Sequence, residues 1–138
     1  MKVTVNRQEA PFYLQALNEE GNTVVMDASP SIGGTGRGFR PMEILLAGLG
    51  GCSAIDVVVI LKKSHQTLDD IQVEIDGHRQ EGVEPSLFDR IQVKYKLKGS
   101  FTDEAAQRAV DWSMQKYCSV AKTLEKTAVI TWAWERVE

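Results

Sequence analysis

The feature that most constrains the fold is a long apolar segment that begins at Pro41 and ends at Lys62 and Lys63. Proline suits the first turn of a helix, and lysines favour a helix C-terminus. The apolar residues between them recur at mainly helical spacing and nearly encircle the segment: Ile44, Leu45, Leu49, Ile55, Val58, Val59 and Leu61. Because a helix that is apolar all round must be covered on every side, the segment predicts a buried helix packed against a sheet and a partner subunit.

Polar and small residues interrupt this segment and argue against a membrane span. Asp56 and three glycines, at 48, 50 and 51, leave an uncharged run that we expect to be too short to cross a bilayer. Each glycine costs a helix about 1 kcal/mol relative to alanine, so their presence indicates a close backbone approach or a bend. The N-terminal sequence MKVTVNRQEA has no apolar signal core, which predicts a cytoplasmic protein without a membrane partner.

The segments around the helix alternate between polar and apolar residues, as strands do. Short strands are predicted near residues 3–5, 12–14 and 23–26, followed by a glycine-rich loop at 29–39. After the helix, residues 71–75 and 91–97 predict an antiparallel pair joined by a turn at 82–86.

The last third of the chain predicts two helical stretches and a closing strand. Thr102 is a candidate N-cap for a helix that delivers Cys118, and Ser119 can cap a second, shorter stretch. The strand at 129–136 carries Trp132 and Trp134 on one face, as core or interface anchors. This order of elements predicts one α+β domain over residues 1–138.

Charge and motif content exclude several classes of function. A formal net charge of −3 and a pI near 5.4 argue against nucleic acid as a partner, because that partner requires clustered cations. No CxxC, HExxH or Cys/His cluster with zinc spacing occurs, so neither a metal nor another cofactor is predicted.

The two cysteines are the candidate reactive groups. In a reducing compartment Cys52 and Cys118 are either inert core thiols or a redox pair. Glycines beside Cys52 leave room for a small reactant, and Lys116 and Lys122 near Cys118 would favour its thiolate. Asp56, on the apolar helix, is expected to accept hydrogen bonds or to face a polar part of a dimer interface.

Two motifs carry a resemblance to a known family. PMEILLAGLGGCSAIDVVVILKK at Pro41 to Lys63 resembles the central-helix motif of the OsmC/Ohr family of organic hydroperoxide resistance proteins. YCSVAKTLEKTA at Tyr117 to Ala128 resembles its second-cysteine motif, and the whole chain is most similar to the YhfA-like branch. The resemblance implies an α+β, OsmC-like fold in which antiparallel sheets wrap a buried central helix within an intertwined homodimer.

The resemblance also implies a thiol peroxidase active in the oxidative stress response. Cys52 would be the peroxidatic thiolate that reduces a small hydroperoxide and becomes a sulfenic acid, and Cys118 the resolving thiol. An external dithiol, such as a lipoyl protein, would reduce the resulting disulfide.

Departures from the family pattern leave a second function open. Met42 stands where peroxide-reducing members carry a glutamate, so Glu43 is the candidate replacement. Its arginine partner is one of Arg7, Arg37 and Arg40, and Ser119 replaces the proline that usually follows the second cysteine. The alternative is a non-catalytic dimeric module that binds a small ligand or senses redox state.

Overall fold

The computed structural model describes all 138 residues, which form two compact units, Met1–Leu45 and Leu46–Glu138. The first unit contains an antiparallel meander in the order β1-β2-β3. Its strands are β1 at Val3–Glu9, β2 at Tyr13–Asn18 and β3 at Thr23–Met26. The meander predicted from two-residue periodicity is therefore confirmed.

A single buried carboxylate organises the loop that follows β3. Asp27 accepts hydrogen bonds from the backbone N–H of Ala28 at 2.8 Å, from the backbone N–H of Thr35 at 3.0 Å, and from the Thr35 hydroxyl. The Thr35 hydroxyl is the main reason that the pKa of Asp27 lies below its usual range, although burial opposes the change. These hydrogen bonds to Asp27 hold the predicted loop in one conformation. The loop contains a 3-10 turn at Pro30–Ile32.

The apolar segment forms helix α1, Pro41–Lys63, as predicted. By length and composition it could cross a membrane, with a mean hydropathy of 2.3 over an 18-residue window, but the core helix of a soluble protein has the same properties. One side of the helix packs closely against the sheet, because Gly50 lies so close to β4 that an added Cβ would stand 2.6 Å from Ile75 Cδ1. This close approach explains one of the three helix glycines. Gly48 and Gly51 face open space within the chain.

Only one side of α1 is covered within a single chain. Ile55 is 67% exposed, and Val58 and Val59 are each about two-fifths exposed. The expectation that every side is covered is therefore not met by this chain alone, and the partner subunit remains a prediction.

The second unit contains a three-stranded sheet in the order β4-β5-β6. Strands β4, Thr67–Arg79, and β5, Phe88–Ser100, form the predicted antiparallel pair. Strand β6, Val129–Arg136, pairs with β5 in parallel, so the expectation of purely antiparallel sheets is wrong for this sheet. The reason is the connection: two helices lie between β5 and β6, and such a crossover returns the chain to run alongside in the same direction.

These helices are α2, Asp103–Trp112, and α3, Ser119–Leu124, with a π-helical turn at Ser113–Tyr117 between them. The Thr102 side chain accepts a hydrogen bond from the Ala105 N–H at 3.2 Å, which confirms the predicted N-cap.

The indole groups of β6 fasten α2 to the sheet. Trp132 Nε1 donates to Asp111 Oδ1 at 2.8 Å, and Trp134 Nε1 donates to Gln107 Oε1 at 2.9 Å. Both tryptophans lie on one face of β6, as predicted, and they anchor the helix that leads to Cys118.

Gly99, near the end of β5, differs from Gly82 in what a substitution by alanine would cost. At Gly99 an added Cβ would strain the backbone and also clash with it, whereas at Gly82 it would only strain the backbone. The φ of Gly99 is +149°, and an added Cβ would stand 2.2 Å from the Thr67 carbonyl oxygen. Gly82, in the β4–β5 hairpin, has φ +70° with open space around it. We expect Gly82→Ala to lower the free energy of unfolding by about 1 kcal/mol, and Gly99→Ala by about 3 kcal/mol, because only Gly99→Ala adds a backbone clash. Urea unfolding measures both losses, and equal losses would contradict the close approach at Gly99.

Candidate functional site

The two cysteines come from different elements of the second unit. Cys52 is half-buried near the middle of α1, whereas Cys118 is fully buried between the π-helical turn and α3. Cys118 has an extended backbone, and its Sγ accepts the Ala121 N–H at 3.3 Å, so the thiol itself caps α3. Its own N–H donates to the Ser113 carbonyl at 2.8 Å. The π-helical turn therefore holds the backbone of Cys118, and the start of α3 holds its sulfur.

The structure brings the two sulfurs together with a carboxylate. Cys52 Sγ, Cys118 Sγ and a carboxylate oxygen of Asp56 all lie within 4.8 Å of one another. Both thiols are free. The expectation that two sulfurs distant along the chain meet in one place is confirmed, while their chemical roles stay predictions.

Asp56 belongs to this cluster because of helix geometry. It follows Cys52 by four positions, and side chains at that spacing lie on the same face of a helix. The Ser113 hydroxyl, fully buried, lies 3.0 Å from Asp56 Oδ2 and donates to it. The expected hydrogen bond to Asp56 is therefore present. Sequence reasoning missed that the same carboxylate lies beside both thiols, although the spacing from Cys52 was visible.

Tyr95, on β5, is a second group that the sequence did not single out. Its side chain is fully buried, and its hydroxyl has no hydrogen-bond partner. Burial raises the pKa of Tyr95 far above its usual range, and the negative forms of Cys118, Asp56 and Cys52 add to the rise. The neighbouring Ser53 hydroxyl offsets part of this rise in pKa, and it donates its own proton to the Gly50 carbonyl at 3.3 Å.

Burial also determines the protonation state of the Cys118 thiol. It raises the pKa of the Cys118 thiol to about 11; the Ala121 N–H opposes the increase and Cys52 adds to it. The expectation that flanking lysines favour the Cys118 thiolate is wrong. Lys116 Nζ lies over the Tyr117 ring, 5.0 Å from its centre, and Lys122 pairs with Glu125 at 3.2 Å. Cys118 is therefore a neutral thiol near pH 7.

The other three candidate residues lie in the first unit. Glu43 Oε1 accepts the Arg40 N–H at 2.8 Å, and the Arg40 guanidinium lies 4.0 Å from the same oxygen, so Glu43 caps the start of α1. Arg37 pairs with Glu9 at 3.0 Å and lies over the Tyr13 ring, 4.1 Å from its centre.

Arg37, Arg40 and Glu43 share the lining of a surface cavity of about 410 Å³. Arg7 is exposed on β1 and does not line this cavity. The five candidate residues thus form two groups, one in each compact unit: the thiols in the second, and the two arginines with Glu43 in the first.

Comparison with known proteins identifies the fold. Residues 34–133 match the family described as OsmC-like protein. Protein YhfA of Escherichia coli strain K12 is 43% identical over 118 residues, which cover 85% of this chain and 84% of YhfA. A crystal structure of a protein from Aquifex aeolicus VF5 is 29% identical, with a TM-score of 0.81 over 99% of this chain and 97% of that one.

A more distant structure shares the fold alone. The organic hydroperoxide resistance protein OsmC from Legionella pneumophila is 12% identical, with a TM-score of 0.73 over 98% of this chain and 97% of that one. The family match, the extent of the YhfA similarity and the shared α+β fold agree with the two sequence motifs. This chain therefore belongs to the OsmC family.

Proposed function

We propose that this protein is a cytoplasmic homodimer that reduces small hydroperoxides with Cys52 and Cys118 and is regenerated by an external dithiol. The observation that carries the proposal is the grouping of two free thiols and a carboxylate within 4.8 Å. Membership of the OsmC family supports it, since one protein of the same fold is named for organic hydroperoxide resistance.

Cys52 is the proposed peroxidatic residue because it is the more accessible thiol. Its thiolate attacks the terminal oxygen of the hydroperoxide, the O–O bond breaks, and the departing alkoxide takes a proton to become an alcohol. Cys52 is thereby oxidised to a sulfenic acid. Cys118 suits this first step poorly, because it is fully buried and its pKa of about 11 keeps it protonated.

Cys118 is the proposed resolving residue. Its sulfur attacks the sulfenic sulfur, a disulfide forms, and the hydroxyl of the sulfenic acid leaves. The neutral Cys118 thiol must lose its proton in this step, and the Asp56 carboxylate beside both sulfurs can accept it and pass it to the leaving hydroxide as water. An external dithiol then reduces the disulfide by two thiol exchanges, becomes a disulfide itself and restores both thiols.

Arg37, Arg40 and Glu43 are the proposed peroxide-orienting groups. Guanidinium groups are good hydrogen-bond donors to peroxide oxygens, and a carboxylate can hold a guanidinium in place. Arg37 is already paired with Glu9 and Glu43 caps a helix, so binding a peroxide there requires an exchange of partners.

This engagement of Glu43 favours one alternative function. A redox sensor or small-ligand-binding module on the same fold would not need a group that orients peroxide for repeated turnover. A sensor would form the Cys52–Cys118 disulfide once and keep it until another protein reduced it.

The first test compares turnover in wild type and Cys52→Ser. Reduced protein with excess dihydrolipoamide should consume many equivalents of cumene hydroperoxide or hydrogen peroxide, and Cys52→Ser should lower the rate by at least about 100-fold. Loss of peroxide is measured directly. Cys118→Ser is the matched control, because in the absence of dihydrolipoamide it should still consume one equivalent and accumulate a sulfenic acid that dimedone labels.

The number of equivalents separates the two functions. Consumption of one equivalent by wild type, with a loss of two hydrogens in intact mass, would favour the sensor. Consumption no faster than that of Cys52→Ser would contradict peroxide reduction altogether.

The second test is alkylation of the native, reduced protein across a range of pH. At pH 7 iodoacetamide should modify Cys52 well before Cys118, because Cys118 is buried and protonated. The raised pKa means that the Cys118 thiolate appears only as the pH approaches about 11, so its labelling should increase with pH in that direction. Peptide mass spectrometry assigns each product. Equal labelling of both thiols at pH 7 would contradict the environment described for Cys118.

The third test addresses the proposed dimer through the exposed side of α1. Ile55→Glu places a charge on a residue that is 67% exposed in the single chain, and it should shift the protein from dimer to monomer if a partner covers that side. Light scattering after size exclusion measures the mass. Val83→Glu is the control, since Val83 is an exposed apolar residue in the β4–β5 hairpin and is not part of α1. A wild-type monomer, or a dimer unchanged by Ile55→Glu, would contradict this interface.

A further inference from the structure

We infer that Cys52, Asp56 and Cys118 form a binding site for a thiophilic divalent metal ion, with Zn²⁺ as the expected occupant. Metal binding at these residues does not depend on peroxide turnover. The sequence predicted no metal because no ligand spacing was visible, but the fold assembles the three ligands from two separate parts of the chain.

The donor atoms match zinc in kind and in spacing. Zinc takes thiolate sulfur at about 2.3 Å and carboxylate oxygen at about 2.0–2.2 Å in a tetrahedral arrangement, which places the ligand atoms about 3.5–3.8 Å apart. The three atoms already lie within 4.8 Å of one another, so modest side-chain rotation reaches that spacing. Two sulfurs favour zinc over magnesium or calcium, which prefer oxygen ligands.

The surroundings of the three ligands resemble those of a metal site. The Ser113 hydroxyl donates to Asp56 Oδ2 at 3.0 Å and orients the carboxylate, as second-layer groups do around bound metals. The Tyr95 hydroxyl is fully buried, lacks a partner and lies in the field of all three ligands. A water molecule in the fourth position of the metal would give this hydroxyl the hydrogen-bond partner that it lacks.

Binding exchanges two protons for one metal ion. Both thiols deprotonate as they bind zinc, and the two protons leave to solvent, so two thiolates and one carboxylate surround a 2+ charge. The metal therefore supplies the positive charge that a buried Cys118 thiolate otherwise lacks. Oxidation to the Cys52–Cys118 disulfide removes both thiolates, so the metal must leave when the disulfide forms.

The test is a zinc titration of the full chain, reduced and freed of metal, against a chromophoric zinc chelator. One equivalent per chain is expected to bind, and Cys52→Ser or Cys118→Ser should weaken binding by at least about 100-fold. Asp56→Asn should weaken it by about tenfold, whereas Asp76→Asn, an exposed carboxylate on β4, should leave it unchanged. Circular dichroism establishes that each variant is folded.

Two further measurements test whether the thiolates themselves ligate the metal. Cobalt in place of zinc should give a thiolate-to-metal charge-transfer band that Cys118→Ser abolishes, and the oxidised protein should bind neither metal. Absence of binding to reduced wild type would overturn the inference, as would binding that the Cys52, Asp56 and Cys118 variants leave unchanged. Peroxide consumption by the metal-free protein is measured separately, so failure of the metal site leaves the proposed peroxidase standing, and the reverse also holds.

Discussion

The close contact between α1 and β4 is the constraint on which the rest of the second unit depends. Gly50 of α1 lies against Ile75, and Gly77 of β4 lies so close to the helix that an added Cβ would stand 3.0 Å from Leu46 Cδ1. Two missing side chains therefore allow the helix and the sheet to approach each other. At this distance Cys52 and Asp56 on the helix reach the same space as groups on other elements, and the tyrosine hydroxyl of β5 reaches them from the sheet.

This close packing gives the cluster its electrostatic character. Cys118 and Tyr95 are both fully buried, and burial keeps both of them protonated at neutral pH. Each negative charge in the group makes the next ionisation harder, because no cation lies among these side chains to compensate. Asp56 is stabilised by a hydrogen bond from Ser113 rather than by an ion pair. Any chemistry in this place must therefore move a proton out or bring a positive charge in.

Local rules predicted the parts of the fold whose signals lie within one element. The span of α1, the Thr102 cap and the β4–β5 pair follow from periodicity and end signals. The parallel pairing of β6 could not be predicted, since alternation of side chains gives a strand its faces and not its direction. The motif resemblance found both cysteines, but it gave no sign of Tyr95, whose hydroxyl meets them only through tertiary packing.

The environment of Cys118 shows why residues that are close in sequence do not predict the pKa of a buried thiol. Lys116 and Lys122 are close along the chain, yet their side chains turn to an aromatic ring and to Glu125, and the thiol faces Cys52 and Asp56 instead.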